Sequence, residues 1–192
     1  MSDRFQTIVA DPPWPYPSPG GNLVARPEHR PNSYGTGAPD SRAKYGAMSI
    51  AEIAALAPPV EDNAHLYLWT TNAFMVEAHD IAKAWGFRPV TIGTWVKTKP
   101  DGSPSMKTGY YFRGATEHFV FAVRGSLRLQ SKTAYPTAFL WPRLPHSVKP
   151  DQFYDLVEAC SPWPWLELFA RRKRLGWAVW GDEVESDVEI AS

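Results

Sequence analysis

Near the start of the chain, residues 7–14 read Thr7-Ile8-Val9-Ala10-Asp11-Pro12-Pro13-Trp14. The four residues before the carboxylate predict a short buried strand, and the two prolines end it because proline lacks the N–H that a ladder or helix needs. Asp11 therefore follows directly on the carboxyl end of a strand. Open α/β sheets bind their ligands at that edge, so this stretch predicts both a fold and the place of a site.

The chemistry of Asp11-Pro12-Pro13-Trp14 suits a substrate group that carries two N–H donors. Proline fixes its own φ and restrains the residue before it, so we expect the carbonyls of Asp11 and Pro12 to remain rigid acceptors. Trp14 offers a flat face on which a planar ring can stack. An unstacked nucleobase with an exocyclic amine has both features. The alternative interpretation is a rigid loop in which Asp11 only caps a turn.

The order of the remaining segments predicts an α/β sheet. Strands are predicted over residues 65–71, 89–97, 165–172 and 176–183, and helices over residues 50–57, 73–85 and 152–161. Ser49 and Glu52 form a capping box for the first helix, and Gly86 ends the second. Strands that alternate with helices imply right-handed parallel crossovers. Residues 116–124 and 126–130 are close enough to form a hairpin about Gly125, which would give the sheet an antiparallel edge.

Composition indicates one globular domain over residues 1–192, since the chain is 44% hydrophobic and 21% charged. The sequence contains no charged-then-apolar leader and no apolar run near 18 residues, which argues against secretion and membrane spanning. The single cysteine, Cys160, excludes an internal disulfide, so we expect a cytoplasmic protein. The five histidines have neither i, i+4 spacing nor cysteine partners, so we expect no metal site.

The formal net charge of zero conceals an uneven distribution. Residues 182–192 hold five acids and no bases, which predicts an acidic C-terminal tail and leaves 20 bases against 15 acids in residues 1–181. The bases gather in three segments: Arg26, Arg30, Arg42 and Lys44; Lys97, Lys99, Lys107 and Arg113; and Arg171-Arg172-Lys173-Arg174. Basic loops beside aromatic residues are typical of surfaces that bind a phosphate backbone, although each cluster is equally compatible with an ordinary solvated surface.

Residues 15–44 have no periodicity and are rich in Pro, Gly, Ser and Asn. A segment of this length without secondary structure is usually functional or disordered, and this one follows the strand that ends at Asp11. We therefore predict a loop that gates the substrate or reads the target.

The tetrapeptide Asp11-Pro12-Pro13-Trp14 after an apolar strand resembles the catalytic signature of the adenine-N6 methyltransferases. That family includes the eukaryotic writers of N6-methyladenosine in messenger RNA and bacterial and phage DNA adenine methylases. Five later segments resemble the family in the same order: Tyr45-Gly46-Ala47-Met48-Ser49, Trp95-Val96-Lys97, Gly114-Ala115-Thr116-Glu117-His118, Lys149-Pro150 and Glu167-Leu168-Phe169-Ala170-Arg171. The resemblance implies a Rossmann-like class I methyltransferase sheet, circularly permuted, with S-adenosylmethionine as cofactor.

The resemblance also implies the roles of individual residues. Asp11 and the Pro12 carbonyl would accept the two amino hydrogens of the target adenine, with Pro13 and Trp14 completing the catalytic motif. The residues expected to line the acceptor pocket are Tyr45, Lys97, Tyr111 and Glu117. The residues expected to hold the methyl donor are Lys149 at its carboxylate, Arg171 and Arg174 at its ribose, and Asp182 and Glu183 at its ribose hydroxyls.

The function that follows is methyl transfer to N6 of adenine in nucleic acid. DNA is favoured over RNA because the compact chain is most similar to the bacterial and phage members. Two alternatives stay open: a catalytically inactive nucleic-acid-binding or scaffolding subunit, and a methyltransferase that acts on a small molecule or protein. Association into a homodimer or heterodimer also stays open.

Overall fold

The computed structural model describes residues 4–16, 48–107, 111–145 and 148–191. The strands are Phe5–Ala10 (β1), Val60–Thr70 (β2), Arg88–Thr98 (β3), Thr116–Arg124 (β4), Ala138–Pro142 (β5), Trp165–Leu168 (β6) and Trp177–Trp180 (β7). The helices are Ile50–Ala55 (α1), Met75–Ala84 (α2) and Asp151–Cys160 (α3), and a 3₁₀ turn over Asn72–Phe74 precedes α2. The strands form one sheet in the order β5-β3-β4-β2-β1-β6-β7.

Helices cover both faces of the sheet. Helices α1 and α2 pack on one face over a core that includes Ile8 and Ala10 of β1, and α3 packs on the other face over Val9. All three of these side chains are at most 1% exposed. A strand buried on both faces explains why the run before Asp11 is continuously apolar instead of alternating.

The predicted Rossmann-like α/β class is confirmed. β1 is parallel to β2 and β6, β6 is parallel to β7, and β3 is parallel to β5. β4 is antiparallel to both β2 and β3. The strand order also agrees with the expected circular permutation. β6 and β7, the last two strands of the chain, extend the sheet from β1 on the side away from β2.

The predicted antiparallel strand exists, but the edge hairpin about Gly125 is wrong. β4 lies inside the sheet, and both of its hydrogen-bonding edges are already used by β2 and β3. Residues 126–130 therefore have no place beside it, and the Gln130 N–H donates instead to the Cys160 carbonyl. The strand at this edge is β5, which the sequence analysis missed.

Local signals placed the helices well. The capping box of α1 is confirmed, since Ser49 Oγ accepts from the Glu52 N–H at 3.2 Å and Glu52 Oε2 accepts from the Ser49 N–H at 2.7 Å. The helix predicted over residues 73–85 is also confirmed, and Gly86 follows it at φ +82°, which glycine adopts without steric penalty.

The acidic C-terminal segment folds back onto the domain. Val188 and Ile190 pack against the core on the α1–α2 face, and Ala191 forms an antiparallel bridge with Ala57. The segment therefore contributes apolar contacts as well as charge. In the described part of the chain, no helix is both long enough and apolar enough to cross a membrane.

Candidate active site

The carboxyl ends of β1 and β6 define a topological switch point. From β1 the sheet continues through β2 to one side and through β6 to the other, so the connections leaving these two neighbours diverge. Such a divergence opens a crevice beyond the strand ends, which is where α/β sheets bind ligands. Asp11 stands directly after β1, and Phe169 stands directly after β6.

Two successive γ-turns shape the tetrapeptide. The Trp14 N–H donates to the Pro12 carbonyl at 2.9 Å, and the Tyr16 N–H donates to the Trp14 carbonyl at 2.8 Å. Pro13 and Pro15 occupy the centres of these turns, where the fixed φ of proline suits an inverse γ-turn. The Pro12 carbonyl is therefore held rigidly, as predicted, but it already accepts one hydrogen bond. Its second lone pair is the one left for a substrate N–H.

A chain of four alternating charges crosses the site. Lys149 Nζ lies 2.6 Å from Asp11 Oδ2 and 3.5 Å from Glu117 Oε2. The other oxygen of Glu117 is bound by Lys97. Glu117 reaches this place because β4 is antiparallel, so its first residues lie at the edge where the parallel strands end. The structure thus brings together four predicted site residues from four different sequence motifs.

The electrostatics of this chain favour the charged forms of its two central members, Glu117 and Lys149. Burial by itself would raise the pKa of Glu117, but the ammonium groups of Lys149 and Lys97 outweigh it and leave that pKa below its ordinary value. Burial likewise opposes the charge on Lys149, and the carboxylates of Asp11 and Glu117 overcome it and raise its pKa. The rings of Trp95 and Trp69 lie below the two ammonium groups, 4.6 Å from Lys97 and 4.9 Å from Lys149, and favour their charged forms.

Trp14 does not present the open stacking face that the sequence analysis predicted. Its side chain is 7% exposed, and one ring face stacks on Phe74 at a centroid distance of 5.2 Å and an angle of 11°. Its indole N–H donates to the Trp69 carbonyl at 3.2 Å. Trp14 therefore anchors the turn to β2, because the 3₁₀ turn after that strand supplies an apolar partner the local sequence did not reveal.

Tyr16 is the aromatic residue of this turn that remains open, and sequence reasoning missed it. The residue is 43% exposed, its hydroxyl lies 2.6 Å from Thr71 Oγ1, and its ring meets Phe74 edge-on at 5.0 Å. Burial of the hydroxyl raises the Tyr16 pKa, and Glu117 and Asp11 raise it further. Its position two residues after the motif was the available signal.

The predicted donor-binding residues fall into two groups. Arg171 and Glu183 form an ion pair at 3.5 Å beyond the ends of β6 and β7, with Asp182 beside them in the chain. Arg174 lies instead at the start of α3, where it binds Asp151 and its guanidinium sits 3.9 Å from the centroid of the Tyr154 ring. The two arginines expected at the ribose therefore bind different carboxylates.

The turn after β6 is strained in a way that marks a site. Phe169 has φ +61°, a conformation that bulky residues rarely adopt, and its side chain is 5% exposed. The Ala170 N–H donates to the Trp180 carbonyl, which fixes the turn against β7. Behind it, the Tyr154 hydroxyl donates to Glu167 Oε1 at 2.7 Å, and burial raises the pKa of that carboxyl. The sequence analysis gave no role to Tyr154, which is buried, or to Glu167, which is half-buried.

The remaining predicted residues are placed less closely. Tyr111 is 69% exposed in the loop before β4. Tyr45 and most of the predicted 15–44 loop lie outside the described residues. Among the residues that the structure describes, no group of three or more His, Cys, Asp or Glu side chains could hold a metal ion.

This arrangement fits a methyl donor and an amine acceptor. The Lys149 ammonium has three hydrogens, and its partners among the described residues, Asp11 and Glu117, account for two, which leaves one for an anionic group in the crevice. The Arg171–Glu183 pair offers both donors and acceptors at the far side of the switch point. Asp11 and the Pro12 carbonyl provide two adjacent acceptors between these places.

Comparison with known proteins gives a consistent result. The sequence model of the MT-A70 family matches residues 5–183. The chain is 25% identical over 188 residues to an N(6)-adenosine-methyltransferase MT-A70-like protein of Drosophila melanogaster, covering 95% of this chain and 27% of that protein. It is 27% identical over 197 residues to the type II methyltransferase M.MunI of Mycoplasma sp, covering 97% and 81%.

A third relative is the N6-methyladenosine RNA methyltransferase MTA1 of Cryphonectria parasitica, which is 31% identical over 188 residues, covering 94% of this chain and 52% of that protein. The chain therefore spans about a quarter of the fly protein, about half of the fungal one and four fifths of the Mycoplasma one.

Proposed function

Because the chain belongs to the MT-A70 family, we propose that it transfers the methyl group of S-adenosylmethionine to the N6 amino group of adenine in nucleic acid, with DNA favoured over RNA. The observation that carries this proposal is the position of Asp11, which stands at the switch point with its carboxylate bound by Lys149. The preference for DNA rests on the resemblance to bacterial DNA adenine methylases. Of the three relatives described, the bacterial one is matched over most of its length, 81%.

The tetrapeptide Asp11-Pro12-Pro13-Trp14 would bind the methyl acceptor. Asp11 and the free lone pair of the Pro12 carbonyl accept the two amino hydrogens of the adenine, which fixes the nitrogen and increases its electron density. In the transfer the new N–C bond would replace the S–C bond of the donor, whose sulfur keeps the electron pair, and the nitrogen would lose one proton to the Asp11 carboxylate. Tyr16, at the open side of the turn, provides the stacking face for the ring. Adenine reaches this pocket only when it is unstacked from its neighbours.

The donor half of the reaction belongs to Lys149 and the strand ends of β6 and β7. S-adenosylmethionine, when bound there, would supply an electrophilic methyl group on sulfur. Lys149 would hold the amino-acid carboxylate of the donor with its third hydrogen, and the Arg171–Glu183 pair would hold its ribose. Since Lys149 also binds Asp11, one ammonium group ties the donor position to the acceptor position. Alignment of this kind supplies a large part of a transfer rate.

The test is a labelling experiment on both polymers. Purified protein is incubated with isotope-labelled S-adenosylmethionine and either DNA or RNA, each polymer is digested to nucleosides, and labelled N6-methyladenine is measured by mass spectrometry. We expect label in DNA, and its loss in Asp11→Asn, whereas Asp155→Asn on the exposed side of α3 keeps full activity.

The other outcomes of this experiment are equally informative. Label in RNA alone would reverse the polymer preference. Label in neither polymer, together with failure to bind the donor in a calorimetric titration, would reject the enzymatic proposal and favour the scaffolding alternative.

A further inference from the structure

The three basic clusters of the sequence differ once the fold is known. The cluster at residues 26–44 lies outside the described residues. In the cluster at residues 171–174 every side chain has an acidic partner: Arg171 pairs with Glu183, Arg172 and Arg174 with Asp151, and Lys173 with Asp187. This cluster is neutralised by α3 and by the acidic C-terminal segment. It is therefore a poor candidate for binding phosphates.

Two residues of the remaining cluster, Lys107 and Arg113, lie with Arg143, which belongs to none of the three clusters, near the carboxyl ends of β3 and β5. The Arg143 N–H donates to the Thr98 carbonyl at 2.9 Å, which places Arg143 beside the end of β3. The Lys107 N–H donates to the Gly114 carbonyl at 2.8 Å, which draws the neighbouring Arg113 to the same edge. Lys107, Arg113 and Arg143 are all exposed, and we call these three residues the basic edge.

The basic edge lacks internal compensation. Within residues 4–16, 48–107, 111–145 and 148–191, none of its three cations forms an ion pair with a carboxylate. The cations also repel one another: the pKa of Lys107 is lowered by burial and by the charges of Lys97 and Arg143, although the charge of Glu117 acts in the opposite direction. Glu117, the nearby carboxylate, is already bound by Lys97 and Lys149. Cations held together in this way favour an anionic ligand.

Exposed apolar side chains interrupt the same surface. Phe112 is 93% exposed and Tyr111 is 69% exposed, and both lie directly before Arg113. Met106, beside Lys107, is 54% exposed, and Leu140 on β5 is 66% exposed. Duplex phosphates need only the cations, whereas an unpaired strand also presents base faces that stack on aromatic rings. The combination of cations and exposed rings therefore indicates a single strand.

We propose that the basic edge, together with Tyr111 and Phe112, is a track that binds unpaired nucleotides flanking the target base. Neighbouring strands lie about 4.8 Å apart, and β3 is three strands from β1, so the track begins about 14 Å from Asp11. The track lies on the acceptor side of the site, away from the β6–β7 crevice. This proposal rests on the proposed function for its choice of ligand.

The test measures binding by a strand that cannot be methylated. A fluorescently labelled oligothymidylate, a duplex of the same length and the protein without methyl donor are titrated by fluorescence anisotropy at several salt concentrations. We expect oligothymidylate to bind more tightly than the duplex. The double variant Lys107→Ala/Arg143→Ala should lose at least tenfold in affinity, and its salt slope should fall by about 0.7 for each phosphate contact removed.

Two further variants serve as controls. One separates the effect of stacking from that of charge, and the other tests a cation at the opposite ends of the strands. Phe112→Ala should lose fivefold or more in affinity with an unchanged salt slope, because stacking releases no counterions. Arg128→Ala removes an exposed cation beyond the other end of β4 and should bind like the unmodified protein. Circular dichroism melts confirm that all variants are folded.

The outcomes distinguish this proposal from the proposed function. Equal affinities of the Lys107→Ala/Arg143→Ala and Arg128→Ala variants, or no oligothymidylate binding by the unmodified protein, would overturn the track. Equal binding of duplex and single strand with no effect of Phe112→Ala would overturn its single-strand character. Oligothymidylate binding that follows the expected pattern in a protein that never methylates adenine would reject the enzymatic proposal and leave the track in place.

Discussion

Lys149 Nζ lies 2.6 Å from Asp11 Oδ2, and 138 residues separate these two partners in the chain. The contact joins the residue after β1 to the segment that precedes α3. The chain between these two partners forms most of the sheet, from β2 to β5. One ammonium group thereby neutralises the carboxylate proposed to hold the acceptor and faces the crevice proposed to hold the donor. Substitutions at Lys149 should therefore affect both halves of the reaction.

We predict that Lys149→Met reduces methyl transfer by at least 100-fold and weakens donor binding by at least tenfold. Methionine keeps most of the volume of the side chain but removes the charge, so Asp11 and Glu117 lose their shared partner. Steady-state kinetics and calorimetric titration of the donor measure the two effects. Lys83→Met, which removes an exposed ion pair on α2, is the matched control. Unchanged donor affinity in Lys149→Met would exclude a carboxylate-binding role for this lysine.

We predict that Glu117→Gln destabilises the fold most near neutral pH, and that the difference narrows as the solution is made acidic. The pKa of Glu117 is lower in the fold than its ordinary value of 4.5, so its contribution to stability is present above that value and is lost as the pH falls through the lowered one. Chemical unfolding between about pH 3 and pH 7 measures the difference in the free energy of unfolding. A difference that stays constant over this range would mean that the Lys149–Glu117–Lys97 contacts do not depend on the carboxylate charge.

Sequence reasoning succeeded where the signal was local. The capping box of Ser49 and Glu52 and the end of α2 at Gly86 depend on residues within one helical turn, and the structure has both. The position of Asp11 at a strand end was likewise decided by its neighbours. Short-range stereochemistry is therefore enough to place Asp11 at the carboxyl end of its strand.

The failures were decided by distant partners. Gly125 does make a turn, but β2 and β3 occupy both edges of β4, which no local pattern reveals. β5 was missed because it is five residues long and ends in Pro142, so it lacks the alternation of a typical strand. The burial of Trp14 depends on Phe74, 60 residues further along the chain. Each of these features follows from sheet order, which tertiary packing decides.

We predict that Gly93→Ala destabilises the fold by about 1–3 kcal/mol, the usual range for overpacking a core. Gly93 on β3 faces Phe119 on β4, and an added Cβ would lie 2.1 Å from the phenylalanine ring. The ring cannot retreat easily because Trp69 and Phe153 pack around it. Denaturant unfolding measures the effect, and Gly102→Ala, where an added Cβ meets nothing within 4 Å but φ is +79°, gives the cost of backbone strain alone. A smaller loss in Gly93→Ala than in Gly102→Ala would contradict the close approach.

We predict that Tyr16→Ala raises the KM for the nucleic acid by about tenfold, whereas Tyr16→Phe changes it by less than threefold, because base stacking on an aromatic ring contributes about 1–3 kcal/mol. Phenylalanine keeps the ring and its edge contact with Phe74 and loses only the hydrogen bond to Thr71. The donor KM should be unchanged in both variants, since Tyr16 lies on the β2 side of Asp11 and the proposed donor crevice lies on the β6 side.

The variant Trp14→Phe separates the roles of the two aromatic residues of the turn. We expect it to lower the melting temperature, because the Trp14 ring is buried against Phe74. A Trp14→Phe protein that melts normally but has a raised KM for nucleic acid would return the stacking role to Trp14.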